Sequence, residues 1–217
     1  MTQPQAKIGR PRGDRDIPEL LIASARRLFA EQGFAATSVQ EIVEAANVTK
    51  GGMYHYFHSK DDLLHEIYSR LLRLQTERLQ IFLGSGEPLS TRLYQAAADV
   101  VMTSIIHIDS VTVFVRSLHE LGTGKQKEVR AERRLYHESF RSLICEGQRD
   151  GIFDAAADAD LALNYFFGAV HYLSTWYQPD GLLTPRTISK SYAQWLVASL
   201  ADPAACNAGP VVSRELR

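Results

Sequence analysis

Apolar residues recur at helical spacing along almost the whole chain. Leu21, Ala25, Leu28 and Phe29 form the first such stripe, after a capping-box-like start at Asp16 and Glu19, and Gly33 closes it. Thr37 or Ser38 caps a second helix, with Gln40 or Glu41 three residues on, and its inner face is Val39, Ile42, Val43 and Ala46. Asn47 and Val48 make a short turn. Thr49 then caps a third helix running to about Phe57. Ser59 and Asp62 open a long fourth helix, 59–82, with Leu63, Leu64, Ile67, Leu71 and Leu72 on one side. The stretch GSGEP at 84–88 breaks the pattern, and helices are predicted beyond it at about 88–107, 109–121, 125–149, 159–178 and 184–201. No run reads as a strand, and there is no internal repeat. The expected fold class is all-α: a helix-turn-helix module over 16–66, then a larger helical domain over 67–201.

Composition changes this picture at the ends. The 217 residues carry a net charge of −1, which argues neither for nor against nucleic acid. The distribution says more, because Lys7, Arg10, Arg12 and Arg15 face only Asp14 in residues 1–15. With Pro4, Gly9, Pro11 and Gly13 interspersed, that segment reads as a disordered basic arm, and 202–217 as a loose tail. Cys145 and Cys206 have no metal or redox spacing, so no metal and no cofactor are expected. A cytoplasmic protein is expected, since no secretory leader is visible and no apolar run reaches the roughly 18 residues of a membrane span.

The third helix has an unusual composition, VTKGGMYHYFHSK over 48–60. Glycine costs a helix about 1 kcal/mol relative to alanine, so the adjacent Gly51 and Gly52 need a reason. On a helical wheel Met53 and Phe57 face inward with Val48. Lys50 and Tyr54 face outward, with Gly51 and His55 beside them. Such a face suits a helix pressed into the major groove. The glycines let the backbone approach a duplex, Lys50 reaches a guanine edge or a phosphate, and Tyr54 and His55 donate to phosphates.

Here the chain resembles the TetR family of transcriptional regulators, over the contiguous stretch LLIASARRLFAEQGFAATSVQEIVEAANVTKGGMYHYFHSKDDLL. The resemblance implies a homodimer with an N-terminal module that reads palindromic operator DNA, and a C-terminal domain that binds a hydrophobic small molecule and dimerises. By the same resemblance Thr37 touches phosphate at the start of the second helix. Thr49, Lys50, Gly51, Gly52, Tyr54, His55 and Tyr56 form the recognition segment, and Lys60 binds phosphate at the start of the fourth helix. The position of Gly52 often carries Ser, Thr or Ala in that family, so base specificity does not carry over.

The C-terminal helices offer pocket candidates in Met102, Ile106, Phe114, Leu118, His119, Tyr136, Phe140, Tyr165, Phe166, Ala169, Tyr172, Leu173 and Trp176. For any one of these a packed core is the simpler reading. Among them His119, Tyr136, Tyr165 and Tyr172, together with His171, are the polar groups able to orient a ligand. The segment WYQPDGLLTPRTISKSYAQWLVASL, 176–200, is similar to TetR-family repressors of lipid and steroid catabolism that respond to acyl-CoA thioesters. Tyr165 to Ser174 holds no arginine or lysine for a CoA phosphate; Arg116, Lys125, Arg130, Arg133, Arg134 and Arg141 are the available cations. By family analogy the last two helices form the dimer interface, through Phe167, Leu173, Tyr192, Leu196, Val197 and Leu200.

Enzymes fit poorly. Gly122-Thr-Gly-Lys-Gln lacks the spacing and hydroxyl of a phosphate loop, no G-x-S-x-G elbow occurs, and His55-x-x-His58 has no partner ligands nearby. The expected function is a ligand-responsive regulator, more commonly a repressor in this family than an activator. The alternative is a ligand-independent DNA-binding or architectural protein.

Overall fold

The computed structural model describes residues 17–201, so the basic arm, the Asp16 cap, Cys206 and the 202–217 tail lie outside the described residues. Those residues form nine α-helices and no strand: α1 (Ile17–Gln32), α2 (Val39–Ala45), α3 (Lys50–Tyr56), α4 (Lys60–Leu83), α5 (Leu89–Ile106), α6 (Ile108–Ser117), α7 (Thr123–Arg149), α8 (Ala159–Trp176) and α9 (Pro185–Ser199). A 3-10 turn, Leu118–Glu120, follows α6 where the sequence pattern predicts one continuous helix to 121.

The predicted caps set the short helices. Ser38 accepts from the Glu41 amide and Glu41 reaches back to the Ser38 amide, a complete capping box for α2. Ser59 and Asp62 do the same for α4. Gly33 ends α1 at φ +90°, and Asn47 takes the left-handed turn between α2 and α3 at φ +52°. Thr184 caps α9, with Pro185 at its first position.

Two cores result. The first joins Leu21, Ala25, Phe29, Ile42, Met53, Leu63, Leu64 and Ile67. It is completed from further along the chain by Tyr68, Val113, Leu121 and Val129. The second lies among α5, α7, α8 and α9, around Leu93, Val101, Phe140, Ile144, Leu163 and Leu196. Helix α4 contributes to both, through Leu63 and Leu64 at one end and Leu79 at the other.

One side chain fixes the reading head against α4. The Lys60 ammonium donates to the carbonyls of Phe34 at 2.6 Å and Thr37 at 2.7 Å, with Ala35 at 3.4 Å. It also lies 4.3 Å from the Phe34 ring centroid. An ammonium has three protons, so this loop occupies the group. Burial lowers its pKa, opposed by the charges of Glu120 and Glu41. At the other end of the chain Gly147 is as constrained. A Cβ there would lie 2.3 Å from Phe153 Cδ2 and 2.9 Å from Leu89 Cδ2.

Lys60→Met keeps the side-chain length and strands these carbonyls. A loss of about 1–3 kcal/mol in denaturant titration is expected, and an unchanged midpoint would remove the clamp from the account. Gly147→Val is expected to cost about 2 kcal/mol or more by overpacking, measured the same way.

Candidate nucleic-acid interface and ligand cavity

The recognition segment starts at Thr49, whose hydroxyl accepts from the Gly52 amide at 3.0 Å and caps α3. Met53 is fully buried, while Lys50, Gly51, Tyr54 and His55 are exposed on the opposite side. Tyr56 is half-buried and packs edge-on against His55, with ring centroids 4.8 Å apart. The outward set is therefore the one the helical wheel predicts.

The two glycines differ. A Cβ on Gly51 would meet only Thr49 Oγ1, at 3.9 Å. On Gly52 it would come within 2.9 Å of Val48 Cγ1 and 3.3 Å of Thr49 Oγ1. Valine is stiff at χ1 and cannot swing clear freely. Gly52 thus answers to the chain's own turn, which corrects the expectation that both glycines make room for a duplex. Gly51 has no such internal reason.

Two residues expected to contact phosphate have partners within the chain. Thr37 is 1% exposed; its hydroxyl donates to the Gly33 carbonyl at 2.7 Å and accepts from Gln32 at 3.2 Å. It braces the α1–α2 turn, and Ser38 is the cap. Lys60 is held by the 34–37 carbonyls described above, so its donors are already taken.

A cavity, partly open to solvent, lies further along α4. Its walls are Tyr68, Leu71, Leu72 and Gln75 of α4, Val100 and Ser104 of α5, and Val111 and Phe114 of α6. Val129, Arg133, Tyr136 and His137 of α7 and Phe167, Val170 and His171 of α8 complete them. No aspartate or glutamate is among these residues. The Arg133 guanidinium sits 4.5 Å from the Phe114 ring centroid and has no hydrogen bond or ion pair among the described residues. Burial, then the nearby Arg130, lowers its pKa, yet a guanidinium stays charged. Burial pushes His171 down to about 4, with Arg133 and His137 adding to the effect. Burial and Arg133 lower His137 as well, against the pull of Asp160 and Glu138. Both imidazoles are neutral near pH 7. The buried Tyr136 hydroxyl has no hydrogen-bond partner among the described residues, and burial raises its pKa.

Of the expected pocket residues, the cavity takes in Phe114 and Tyr136, and His171 of the polar set. Phe140, Phe166 and Leu173 are buried in the core beside it. Met102, Leu118, Ala169 and Trp176 are half-buried and do not line it. Ile106, His119, Tyr165 and Tyr172 are exposed, because the stripe of each helix that faces the neighbouring helices is a different one. The α4 wall and His137 were missed, and Arg133 was one of six cations that the sequence did not tell apart. Their signal was the spacing of Arg133, Tyr136 and His137, which puts all three on one face of α7.

The residues expected at the dimer interface differ in exposure. Phe167, Leu173, Leu196 and Leu200 are buried within one chain, and Phe167 lines the cavity. Tyr192 and Val197 are half-buried. The exposed apolar residues of these helices are instead Leu161, Tyr165 and Tyr172 of α8 and Trp195 of α9.

Comparison with known proteins accounts for both halves. Residues 21–67 match the family described as bacterial regulatory proteins, tetR family, and residues 86–200 match the tetracyclin repressor-like C-terminal domain. The HTH-type transcriptional repressor KstR2 of Rhodococcus jostii is 29% identical over 215 residues, covering 94% of this chain and 99% of that protein. The ketosteroid transcriptional regulator KstR2 of Mycobacterium tuberculosis has the same fold, with a TM-score of 0.78 at 20% identity over 89% of this chain and 98% of that one. AibR, in complex with isovaleryl coenzyme A and operator DNA, superposes with a TM-score of 0.72 at 23% identity, covering 84% of this chain and 97% of that one. With its DNA-reading module and its C-terminal domain both matched, the chain belongs to the TetR family of bacterial transcriptional regulators.

Proposed function

We propose that the protein is a homodimeric repressor that leaves a palindromic operator when a small apolar molecule enters the α4–α8 cavity. The observation that carries the DNA half is the exposed face of Lys50, Gly51, Tyr54 and His55 on a capped helix, with bare backbone at Gly51. Lys50 supplies the charge, Tyr54 and His55 supply hydrogen-bond donors, and Gly51 admits the groove wall. Two copies meeting through the exposed Leu161, Tyr165, Tyr172 and Trp195 would present two heads to two half-sites. The resemblance of Rhodococcus jostii KstR2 supports repression. The coenzyme A ester held by AibR makes acyl-CoA thioesters one class of effector to test.

The link between the sites is α4. Tyr68 stands eight residues, or roughly 12 Å, from Lys60 along that helix. Tyr68 lines the cavity and donates to the Val113 carbonyl of α6 at 3.0 Å. At the near end Lys60 holds the 34–37 loop, and Asp61 pairs with Lys125 of α7 at 2.8 Å. A ligand that fits only one position of α4 therefore biases the position of the head, by its difference in affinity for the two positions.

Gly51→Leu and Gly52→Leu separate the roles of the glycines. The first is expected to abolish specific DNA binding while the protein melts no lower than the parent. The second is expected to lower stability by about 1–3 kcal/mol through the Val48 clash. Sequence-specific binding retained by Gly51→Leu, in selection from random duplexes, would detach α3 from the groove. Lys50→Ala is expected to reduce the salt slope of operator binding by about one, with helical content unchanged.

A further inference from the structure

We propose that the effector carries a free carboxylate, and that Arg133 is the group that reads it. This rests on the cavity being the effector site. Arg133 lines the cavity half-buried, its guanidinium stacked on Phe114, with no acid among the lining residues and no counter-ion among the described residues. A carboxylate entering the cavity would supply that partner. Three of the cations around it have partners of their own. Lys125 pairs with Asp61 and Asp62, Arg141 with Asp160, and Arg130 contacts Gln126.

The rest of the polar lining fits the same ligand group. Tyr136 offers a buried hydroxyl with no hydrogen-bond partner among the described residues, and it lies three residues from Arg133 on the same face of α7. His137 and His171 are neutral, so each brings one N–H, and neither ring is committed to a hydrogen bond among the described residues. Phe114 and Phe167 wall this end, with Phe114 against His171 at 5.5 Å and Phe167 against His137 at 4.2 Å between centroids. The lining also includes the aliphatic Leu71, Leu72, Val100 and Val111. One fixed cation with neutral donors beside it and aliphatic residues in the lining describes a receptor for an apolar acid with one negative charge. A coenzyme A moiety brings several phosphate charges, and this lining supplies one cation to meet them. A guanidinium binds a carboxylate through two parallel N–H bonds, which also fixes the direction of the tail.

The test is a calorimetric titration of the full chain with matched ligands. Three tails are used, decyl, naphthyl and a four-ring sterane, each as carboxylate, primary alcohol and CoA thioester. For at least one tail the acid is expected to bind at least about tenfold tighter than its alcohol. Arg133→Met should erase that preference and leave alcohol binding intact. Arg133→Lys, which keeps the charge without the fork, should retain part of it and serves if the Met variant does not fold. Equal affinity for acid and alcohol, a thioester that binds tighter than its free acid, no binding of any acid, or an unchanged preference in both variants would each overturn the assignment. DNA binding by the ligand-free chain is scored separately by duplex selection, so a failed repressor reading is not confused with a failed carboxylate reading.

Discussion

The architecture turns on an ammonium group surrounded by carbonyls. Lys60 begins the helix that runs from the reading head to the cavity, and its three protons go to the loop that presents α2. The capping box of Ser59 and Asp62 fixes where that helix starts, and Lys60 fixes what moves with it. Asp62 is tied in as well. Burial would raise its pKa, but the Lys125 hydrogen bond and charge, with the His58 amide and Ser59, outweigh that and hold it low. The start of α4 is thus joined to α7 on one side and to the α1–α2 loop on the other. Rigid coupling of this kind is what a two-position regulator needs, since a loosely attached head would not register a small displacement of α4.

Much of this was legible in the sequence, for physical reasons that vary by element. Helix ends were clear wherever a cap dictates them: Ser38 with Glu41, Thr49, Ser59 with Asp62, and Gly33. The outward face of α3 was clear because Met53 alone among its neighbours is apolar without a polar tip. The partners of Thr37 in the α1–α2 turn and of Lys60 in the 34–37 loop were not legible, because periodicity does not show which carbonyls a turn presents.

The cavity was the least legible part. Its walls come from five helices, and a residue's place in them depends on how each helix is rotated about its axis. Tyr165 and Tyr172 have the composition of pocket residues, yet they point away from the chain's own core. Arg133 has the composition of a surface residue, yet it lies over Phe114. A mixed helix such as α7, rich in charged residues, hides one inward arginine among several outward ones.

The sharing of α4 between two cores also bears on how the chain folds. Tyr68, Val113, Leu121 and Val129 complete the core of the reading head, although all four lie beyond the three-helix module in sequence. The head therefore does not own its hydrophobic core. Opening the C-terminal half strips those residues away and exposes Leu63, Leu64 and Met53 with them. The two halves therefore share buried contacts, with α1 packed against α6 and α4 against α7.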